Sequence, residues 1–320
     1  MTPAQATWFA DAFQKLVTNI EQAVLGKTHT VRLTLTTMLS GGHMLLEDVP
    51  GTGKTMLAKA LANTVQGTQN RIQFTPDLLP SDVTGVTIFD QRSGQFEFHQ
   101  GPAFCTVLLA DEINRASPKT QSALLEVMEE SKITVDGTSH SVGTPFMVIA
   151  TQNPIEQAGT YRLPEAQLDR FMMKTSLGYP DHDNTVALLA DAANRFRASS
   201  VGPLITTQAI NDMSHLAGSV HVDPSVLSYI ARLAEETRRA PEVKLGLSVR
   251  GCLSYVRAAK TWAAANGRHY VVPDDVKELA EPILSHRVIL EPEAEFSGST
   301  VVGVLSRILA DVVPPADRAA

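Results

Sequence analysis

Cysteine is scarce in this chain, which contains only Cys105 and Cys252 among its 320 residues. Small disulfide-stabilised domains need more cysteines, and structural zinc sites need cysteines or histidines at short, regular spacings. Each of the two cysteines lies inside an apolar stretch, and the nine histidines show no metal-ligand spacing. We therefore expect reduced cysteines in the core, with neither a disulfide framework nor a cysteine or histidine metal site.

Long apolar runs are also missing. No run approaches the roughly 20 residues that a membrane-spanning helix needs. The first residues, MTPAQATWFADAFQKL, contain neither a basic leader nor a continuous apolar segment, so we expect no signal peptide. Together these absences predict a cytoplasmic protein without a membrane span.

Positive charge is in deficit, because 27 lysines and arginines face 34 aspartates and glutamates, which gives a formal net charge of −7. Binding to the phosphates of nucleic acids depends on clustered lysine and arginine side chains. The charge balance therefore argues against a general nucleic-acid binder, and a DNA helicase is disfavoured for the same reason.

The sequence does contain a hydrophobic fraction of 43% and a charged fraction of 19%, which suit a folded globular protein long enough for two domains. Five short apolar runs alternate with helix-like segments; they are His43–Glu47, Ile72–Thr75, Thr106–Ala110, Phe146–Ala150 and Met173–Leu177. Such runs are typical of strands buried on both faces of a parallel sheet. Segments such as Lys54–Val65 and Pro118–Ser131 are long enough to be crossover helices. The sequence thus predicts an α/β core with a parallel five-stranded sheet.

Two segments between these strands read as β-hairpins that project from the core. Val86–Gly101 alternates apolar and polar residues around Ser93-Gly94, and Lys132–Val142 turns at Asp136-Gly137, a strong hairpin signal. On the first hairpin, Phe96 and Phe98 have two open interpretations. They could grip a substrate, or they could be buried against the core.

Helices are predicted at both ends of the chain. The first 24 residues carry apolar side chains at helical spacing, namely Trp8, Phe9, Phe13, Leu16, Val17 and Ile20. After Tyr179-Pro180 helical periodicity dominates, over 183–198, 206–217, 223–240, 248–266, 273–286 and 299–313, with prolines near the segment ends. We predict two domains: residues 1–180, an N-terminal helix plus an αβα core, and residues 181–320, an all-helical domain.

The stretch EDVPGTGKTMLAKAL (Glu47–Leu61) resembles a phosphate-binding loop between a strand and a helix. Backbone N–H groups in such a turn, together with the helix N-terminus, favour an anion. We expect the turn to bind phosphate through Pro50, Gly51, Thr52 and Gly53, Lys54 to contact the β- and γ-phosphates, and Thr55 to bind Mg²⁺. Asp48 stands where the usual spelling has its first glycine; its side chain can point away while its backbone contributes.

A second GKT, Gly26–Thr28, serves as an internal comparison. It follows NIEQAVL, which has the pattern of a helix end and not of a strand. Without a strand-to-helix turn the tripeptide predicts a surface loop, not a phosphate loop.

Polar side chains follow two further buried strands. TVLLADEINRA ends its strand in Asp111 and Glu112, and FMVIATQNP ends in Asn153. Ligands of open parallel sheets bind at the carboxyl ends of the strands, so these groups are expected beside the phosphate loop. We expect Asp111 to hold Mg²⁺, Glu112 to act as general base on the water that attacks the γ-phosphate, and Asn153 to orient that water.

With these elements in place, the chain resembles an AAA+ ATPase, and more narrowly the MoxR family. The resemblance rests on the blocks LLEDVPGTGKT, DEINRASPKTQSALLEVMEE, ATQNPIEQAGTYRLPEAQLDRF and DDVKELAEPILSHRV, and it runs from about residue 20 to 290. It also accounts for Asp48, because EDVPGxGKT is how that family spells its loop.

The resemblance implies an ATPase with a P-loop NTPase core, hairpin insertions and a helical lid. It also implies a homo-oligomer, commonly a hexameric ring with ATP and Mg²⁺ at the subunit junctions. Such proteins are thought to act as remodelling chaperones beside a partner with a von Willebrand factor A domain.

The resemblance gives roles to individual residues as well. Asn153 matches sensor 1, Arg170 matches the arginine finger that reaches a neighbour's ATP, and Arg250 matches sensor 2 on the lid. Leu25 and Gly26, with Val24, match the segment that lines the adenine pocket.

Two positions depart from the family pattern: Arg162 stands in place of a usual proline in GTYPLPEAQ, and Val249 in place of the proline of SPR.

Alternative functions also remain open from sequence. One is a nucleotide-gated binding module with slow hydrolysis, and another is an ATPase subunit of the magnesium-chelatase type, which carries similar hairpin insertions.

Overall fold

The computed structural model describes residues 1–153, 160–190 and 201–315. Two helices open the chain, α1 (Pro3–Glu21) and α2 (Thr28–Leu39). Strands and helices then alternate as β1 (Met44–Glu47), α3 (Lys54–Thr64), β2 (Gln69–Gln73), α4 (Pro80–Thr84), β3 (Gly85–Asp90), β4 (Gln95–Gln100), β5 (Val107–Asp111), α5 (Pro118–Glu130), β6 (Lys132–Val135), β7 (Thr138–Ser141), β8 (Met147–Gln152), α6 (Glu165–Leu168) and β9 (Met173–Thr175).

The central sheet has five parallel strands in the order β2-β5-β8-β1-β9, which confirms the predicted sheet. Consecutive strand residues face opposite sides, so both faces are covered by separate apolar clusters. The predicted position of β2 was wrong, since it begins at Gln69 instead of Ile72 and ends before Thr75. It is an edge strand with polar, partly exposed residues, and the search for continuous apolar runs therefore missed its start.

Both predicted hairpins are present. β3 pairs antiparallel with β4, and β6 pairs antiparallel with β7 through a turn in which Asp136 and Gly137 have φ of 49° and 78°. Phe98 packs its ring against Phe104 and His140, whereas Phe96 is 74% exposed and touches only its cross-strand neighbour among the aromatic contacts described. The two phenylalanines thus have different environments.

The C-terminal region is helical, as predicted. Its helices are α7 (from His182, described to Ala190), α8 (Thr207–Gly218), α9 (Pro224–Arg239), α10 (Val249–Ala265), α11 (Pro273–Leu284), α12 (Pro292–Phe296) and α13 (Val301–Asp311). The remainder of the predicted helix over 183–198 lies outside the described residues. The sequence did not predict a short antiparallel ladder, β10 (Val243–Leu245) with β11 (Ile289–Leu290), so the region is not entirely helical.

Helix α1 joins the two parts of the chain. Its side chains at Phe9, Phe13, Leu16, Val17 and Ile20 are buried, as their spacing predicts, but Trp8 is 54% exposed. The helix packs against α2, α3 and α10, and one apolar cluster therefore extends from the sheet into the C-terminal helices. Across the described residues, no helix is both long and apolar enough to cross a membrane.

Candidate functional site

The phosphate loop (residues 48–55) connects β1 to α3 through two glycines in the left-handed region. Gly51 has φ of 85° and Gly53, the N-cap of α3, has φ of 98°, a conformation that side chains rarely adopt. The Nζ of Lys54 donates to the carbonyls of Asp48 and Val49, each at 3.3 Å. The loop therefore curves around its own lysine at a helix N-terminus, where an anion is favoured.

Asp48 is buried, with 5% of its surface exposed. Its Oδ2 accepts the N–H of Leu177 at 2.5 Å and its Oδ1 accepts the N–H of Gly178 at 3.0 Å. Both oxygens are directed to the chain after β9, so the carboxylate does not oppose an anion in the loop. The departure from the usual loop spelling thus has a structural role.

Asp111 and Glu112 end β5 beside this loop. Asp111 pairs through Oδ2 with Arg71 at 2.7 Å and accepts the hydroxyl of Thr151 on Oδ1 at 2.6 Å. Glu112 has φ of 57°, and its Oε2 accepts Gln73 Nε2 at 2.6 Å and Arg115 at 3.1 Å. The two carboxylates are therefore held in separate, fixed environments.

Sequence reasoning missed Arg71, Gln73 and Thr151. Arg71 and Gln73 are two residues apart on β2 and project to the same side, where Gln73 is in register with Asp111. The apolar Ile72 between these two polar residues was a signal that Arg71 and Gln73 share a face. Their partners follow only from the pairing of β2 with β5.

One pocket of about 410 Å³ brings most of the predicted residues together. Its lining includes the whole predicted phosphate turn, the acidic strand end and the strand-end amide, namely Pro50, Gly51, Thr52, Gly53, Lys54, Thr55, Asp111, Glu112 and Asn153. It also includes Arg71, Gln73 and Thr151. Within the described chain, this lining does not include Leu25, Gly26, Arg170 or Arg250.

Arg170 and Arg250 lie together instead, on either side of Glu129 near the end of α5. Glu129 Oε2 accepts Arg170 Nε at 2.7 Å, and Oε1 lies 3.2 Å from a guanidinium nitrogen of Arg250. The hydrogen bond from Arg170 and the charge of both arginines lower the pKa of Glu129. The helix that carries Arg250 presents it beside Arg170, and its role as sensor 2 stays a prediction.

A buried network fixes the segment that carries Arg170. The side chain of Arg287 is 2% exposed and donates to Asp169 Oδ1 at 2.7 Å and to the carbonyls of Phe171 and Met172 at 2.6 and 2.9 Å. Asp169 Oδ2 accepts the hydroxyl of Ser248, the N-cap of α10. Asp169, which precedes Arg170, is thus bonded to Ser248, which lies two residues before Arg250.

Leu25 and Gly26 lie in the turn between α1 and α2. Gly26 has φ of 69°, and a Cβ there would come within 2.2 Å of the side chain of Asn184 at the start of α7. Lys27 donates to the carbonyl of Tyr179 at 2.7 Å. This second GKT follows a helix and contacts the chain that leads into α7.

The pocket's chemistry fits a magnesium nucleotide. Thr52 Oγ1 is buried without a hydrogen-bond partner among the described residues, and Lys54 supplies a cation at the helix N-terminus. Thr55 and Asp111 contribute the hydroxyl and carboxylate oxygens that Mg²⁺ prefers. No group of three or more candidate metal-ligating side chains occurs within the residues described, so a metal here would need ligands from the nucleotide or water.

Comparisons with known proteins show similarity to AAA ATPases. Residues 43–173 match the model of the ATPase family associated with various cellular activities (AAA), and residues 235–308 match an AAA lid domain. The chain is 44% identical to the uncharacterized protein YeaC of Bacillus subtilis (strain 168), over 96% of both chains. It is 36% identical to the chaperone MoxR1 of Mycobacterium tuberculosis, over 94% of this chain and 82% of that protein.

A crystal structure from Cytophaga hutchinsonii, of a protein assigned as an ATPase, superposes with a TM-score of 0.91 at 37% identity and covers 98% of each chain. A magnesium-chelatase subunit homologue of Methanocaldococcus jannaschii is more distant, at 26% identity over 58% of this chain.

Proposed function

The chain belongs to the MoxR family of AAA+ ATPases, and from this membership we propose that it hydrolyses MgATP to remodel protein partners. The observation that carries the proposal is the single pocket in which the phosphate loop, the acidic end of β5 and Asn153 meet. Hydrolysis requires ATP-binding, acid–base and water-orienting groups, and the residues that we propose for these roles line this pocket.

Binding of ATP is assigned to the phosphate loop. The backbone of Pro50–Gly53 would hold the phosphates, and Lys54 would contact the β- and γ-phosphates as a point charge. Thr55 and Asp111 would hold Mg²⁺, which supplies charge neutralisation when bound. Leu25 and Gly26 are proposed to contact the adenine; their position against the start of α7 supports a role near the boundary of the two regions.

Hydrolysis is assigned to Glu112 and Asn153. Glu112 would accept the proton of the attacking water, and Asn153 would orient that water without opposing the γ-phosphate charge. Gln73 and Arg115 hydrogen-bond the Glu112 carboxylate, so they would determine how often it is free to act.

Arg170 and Arg250 support a homo-oligomer, proposed to be a hexameric ring. Both guanidiniums pair with Glu129 and neither lines the pocket of its own chain. Stabilisation of the phosphoryl-transfer transition state by a finger arginine contributes roughly 10³–10⁵ in rate. We therefore propose that this arginine pair reaches the ATP of an adjacent copy, Arg170 as the finger and Arg250 as sensor 2.

The remodelling role and a partner with a von Willebrand factor A domain are proposed from family membership, as is action in the cytoplasm, where ATP and Mg²⁺ are supplied.

A second candidate function is a nucleotide-gated binding module with slow hydrolysis. The hydrogen bonds of Gln73 and Arg115 to Glu112 favour it, because a base engaged by two donors is less available for water.

Steady-state ATPase assays on the purified protein test these assignments. Lys54→Ala should abolish both binding and turnover, whereas Glu112→Gln should keep MgATP binding and lower kcat by about 10²–10⁴. Undiminished turnover in both variants would refute the proposal. If Glu112→Gln locks a partner complex that still functions fully, the binding-module alternative is favoured instead.

A further inference from the structure

The side chain of Asp48 connects the phosphate loop to a distant part of the chain. Its two oxygens accept the consecutive N–H groups of Leu177 and Gly178, and it is 129 residues away from Leu177 in sequence. These residues belong to the connector (residues 176–181), which links β9 to α7 and therefore the sheet to the C-terminal helices. Gly178 has φ of 61°, so the connector turns at the point that the carboxylate holds.

Two further contacts of the phosphate loop involve Asp48 and the connector residue Leu177. Lys54 Nζ donates to the carbonyl of Asp48 itself, so the lysine expected to meet the phosphates is bonded to the residue that holds the connector. The side chain of Leu177 lies over Gly53, with Cδ2 3.9 Å from the position that a Cβ would take. The Asp48 carboxylate and the apolar contact of Leu177 with Gly53 thus both join the phosphate loop to the connector.

We propose that Asp48 is a positioning residue that couples occupancy of the phosphate loop to the placement of the connector and the C-terminal helices. The inference rests on the proposed ATPase function. A glycine at this position, the usual residue of such loops, would leave the N–H groups of the buried Leu177 and the half-buried Gly178 without their acceptor. A bound phosphate that attracts the Lys54 ammonium changes the hydrogen bond between Lys54 and the carbonyl of Asp48. Asp48 then transmits this change through its side chain to the N–H groups of Leu177 and Gly178.

The coupling is distinguishable from a purely stabilising role. If Asp48 only stabilised the fold, its loss would accelerate amide exchange in the connector, but the connector would still respond to nucleotide. If Asp48 couples the two segments, the response itself disappears. The readout is therefore the difference in hydrogen–deuterium exchange over residues 173–182 with and without MgATPγS, measured together with kcat and KM.

The test uses Asp48→Gly and Asp48→Asn in the full chain. Asp48→Gly restores the usual phosphate-loop spelling, so nucleotide binding should survive. Asp48→Asn keeps the size of the side chain but turns an NH₂ group toward one of the two backbone N–H groups. We expect KM for ATP to stay within about threefold, kcat to fall about tenfold or more in Asp48→Gly and less in Asp48→Asn, and the exchange response to vanish. Asp212→Asn, an exposed acid on α8, is the matched control and should behave as the wild type.

Leu177→Ala gives a second route if Asp48→Gly fails to fold, because it keeps the carboxylate and both N–H groups but removes the contact over Gly53. It should reduce the exchange response in part. A wild-type kcat with an intact response in the Asp48 variants would overturn the coupling while the ATPase function stands. A wild-type protein that neither binds nor hydrolyses MgATP would overturn the proposed function, and this inference with it.

Discussion

At the scale of single residues, two buried histidines lie outside the proposed chemistry but affect stability. His43 donates from Nε2 to the carbonyl of Met128 at 2.9 Å and accepts the N–H of Val148 on Nδ1 at 3.0 Å. Only the neutral imidazole can make both bonds. Burial lowers the pKa of His43 to about 4, and burial also lowers the pKa of His286 well below its ordinary value.

These pKa values predict a stability loss in mild acid. Between pH 6.5 and pH 4 the unfolded chain binds a proton at His43 that the folded chain does not, so the free energy of unfolding decreases as the pH falls. For His43 alone we expect a loss of about 3 kcal/mol that is complete below pH 4. His286 adds to it in the same direction.

Urea unfolding at pH 7, 6 and 5 measures this decrease in the free energy of unfolding. These pH values lie above the range in which carboxylates such as Glu129 titrate, so the histidine contribution is measured separately. His43→Gln removes the titrating group and should flatten the pH dependence, while the exposed His99→Gln should leave it unchanged. Parallel pH profiles for the wild type and His43→Gln would contradict the assignment to His43.

At the scale of elements, helix α10 begins with Val249, the position at which the resemblance to the MoxR family leads us to expect proline. Val249 is 70% exposed and occupies the first helical position, whose N–H has no intrahelical acceptor. The preceding Ser248 has φ of −75° and ψ of 164°, the extended conformation that a following proline requires.

We therefore expect Val249→Pro to be tolerated and to stabilise the protein by about 0.5 kcal/mol, because proline restricts the unfolded chain. Thermal unfolding measures the effect. Arg250→Pro, one position further into the helix, is the comparison variant and also removes the sensor candidate. A lower melting midpoint for Val249→Pro would show that α10 does not begin as described.

A second element-scale feature is the end of α11, where Arg287 bonds the chain between α6 and β9. Five hydrogen bonds from one buried guanidinium depend on its planar shape. We expect Arg287→Lys to lower the free energy of unfolding by about 3 kcal/mol, since a lysine leaves Asp169 and several carbonyls unpaired.

Urea unfolding checks this value against Arg239→Lys, in which the arginine is exposed and the change should stay within about 0.5 kcal/mol. A double-mutant cycle with Asp169→Asn should show coupling between the two side chains. Additive effects would mean that the pair acts as two independent contacts.

At the scale of the whole molecule, the arginine pair predicts that activity requires assembly. Lys54→Ala subunits keep their arginines, and Arg170→Ala subunits keep their pocket. When the two variants are mixed, some subunit junctions therefore combine an intact pocket with an intact Arg170 from the adjacent copy. We expect each variant alone to be nearly inactive and the mixture to recover a measurable fraction of wild-type ATPase activity.

The mixing ratio should be varied, with co-assembly verified by size-exclusion chromatography or by tagged pull-down. The wild type should also lose specific activity on dilution. If mixed assemblies form but recover nothing, or if a monomer is fully active at every concentration, the guanidinium does not act in an adjacent copy.

The sequence by itself determined most of the elements and the local turns, with the edge strand β2 and the β10–β11 ladder as exceptions. Buried runs, the glycines of the phosphate loop and the Asp136-Gly137 turn depend on interactions between near neighbours, and the structure has each of them close to its expected place. The strand ends at Asp111, Glu112 and Asn153 were also predictable, because parallel strands present their carboxyl ends at one edge of the sheet.

Only the tertiary structure decided which of these groups meet. Gln73 reaches Glu112 through the register of β2 with β5, and Arg250 lies beside Arg170 because both pair with Glu129. Asp48, a misfit in the linear motif, finds its partners 129 and 130 residues further along the chain. Periodicity and propensity reflect contacts within a few residues, whereas these bonds depend on how complete elements pack.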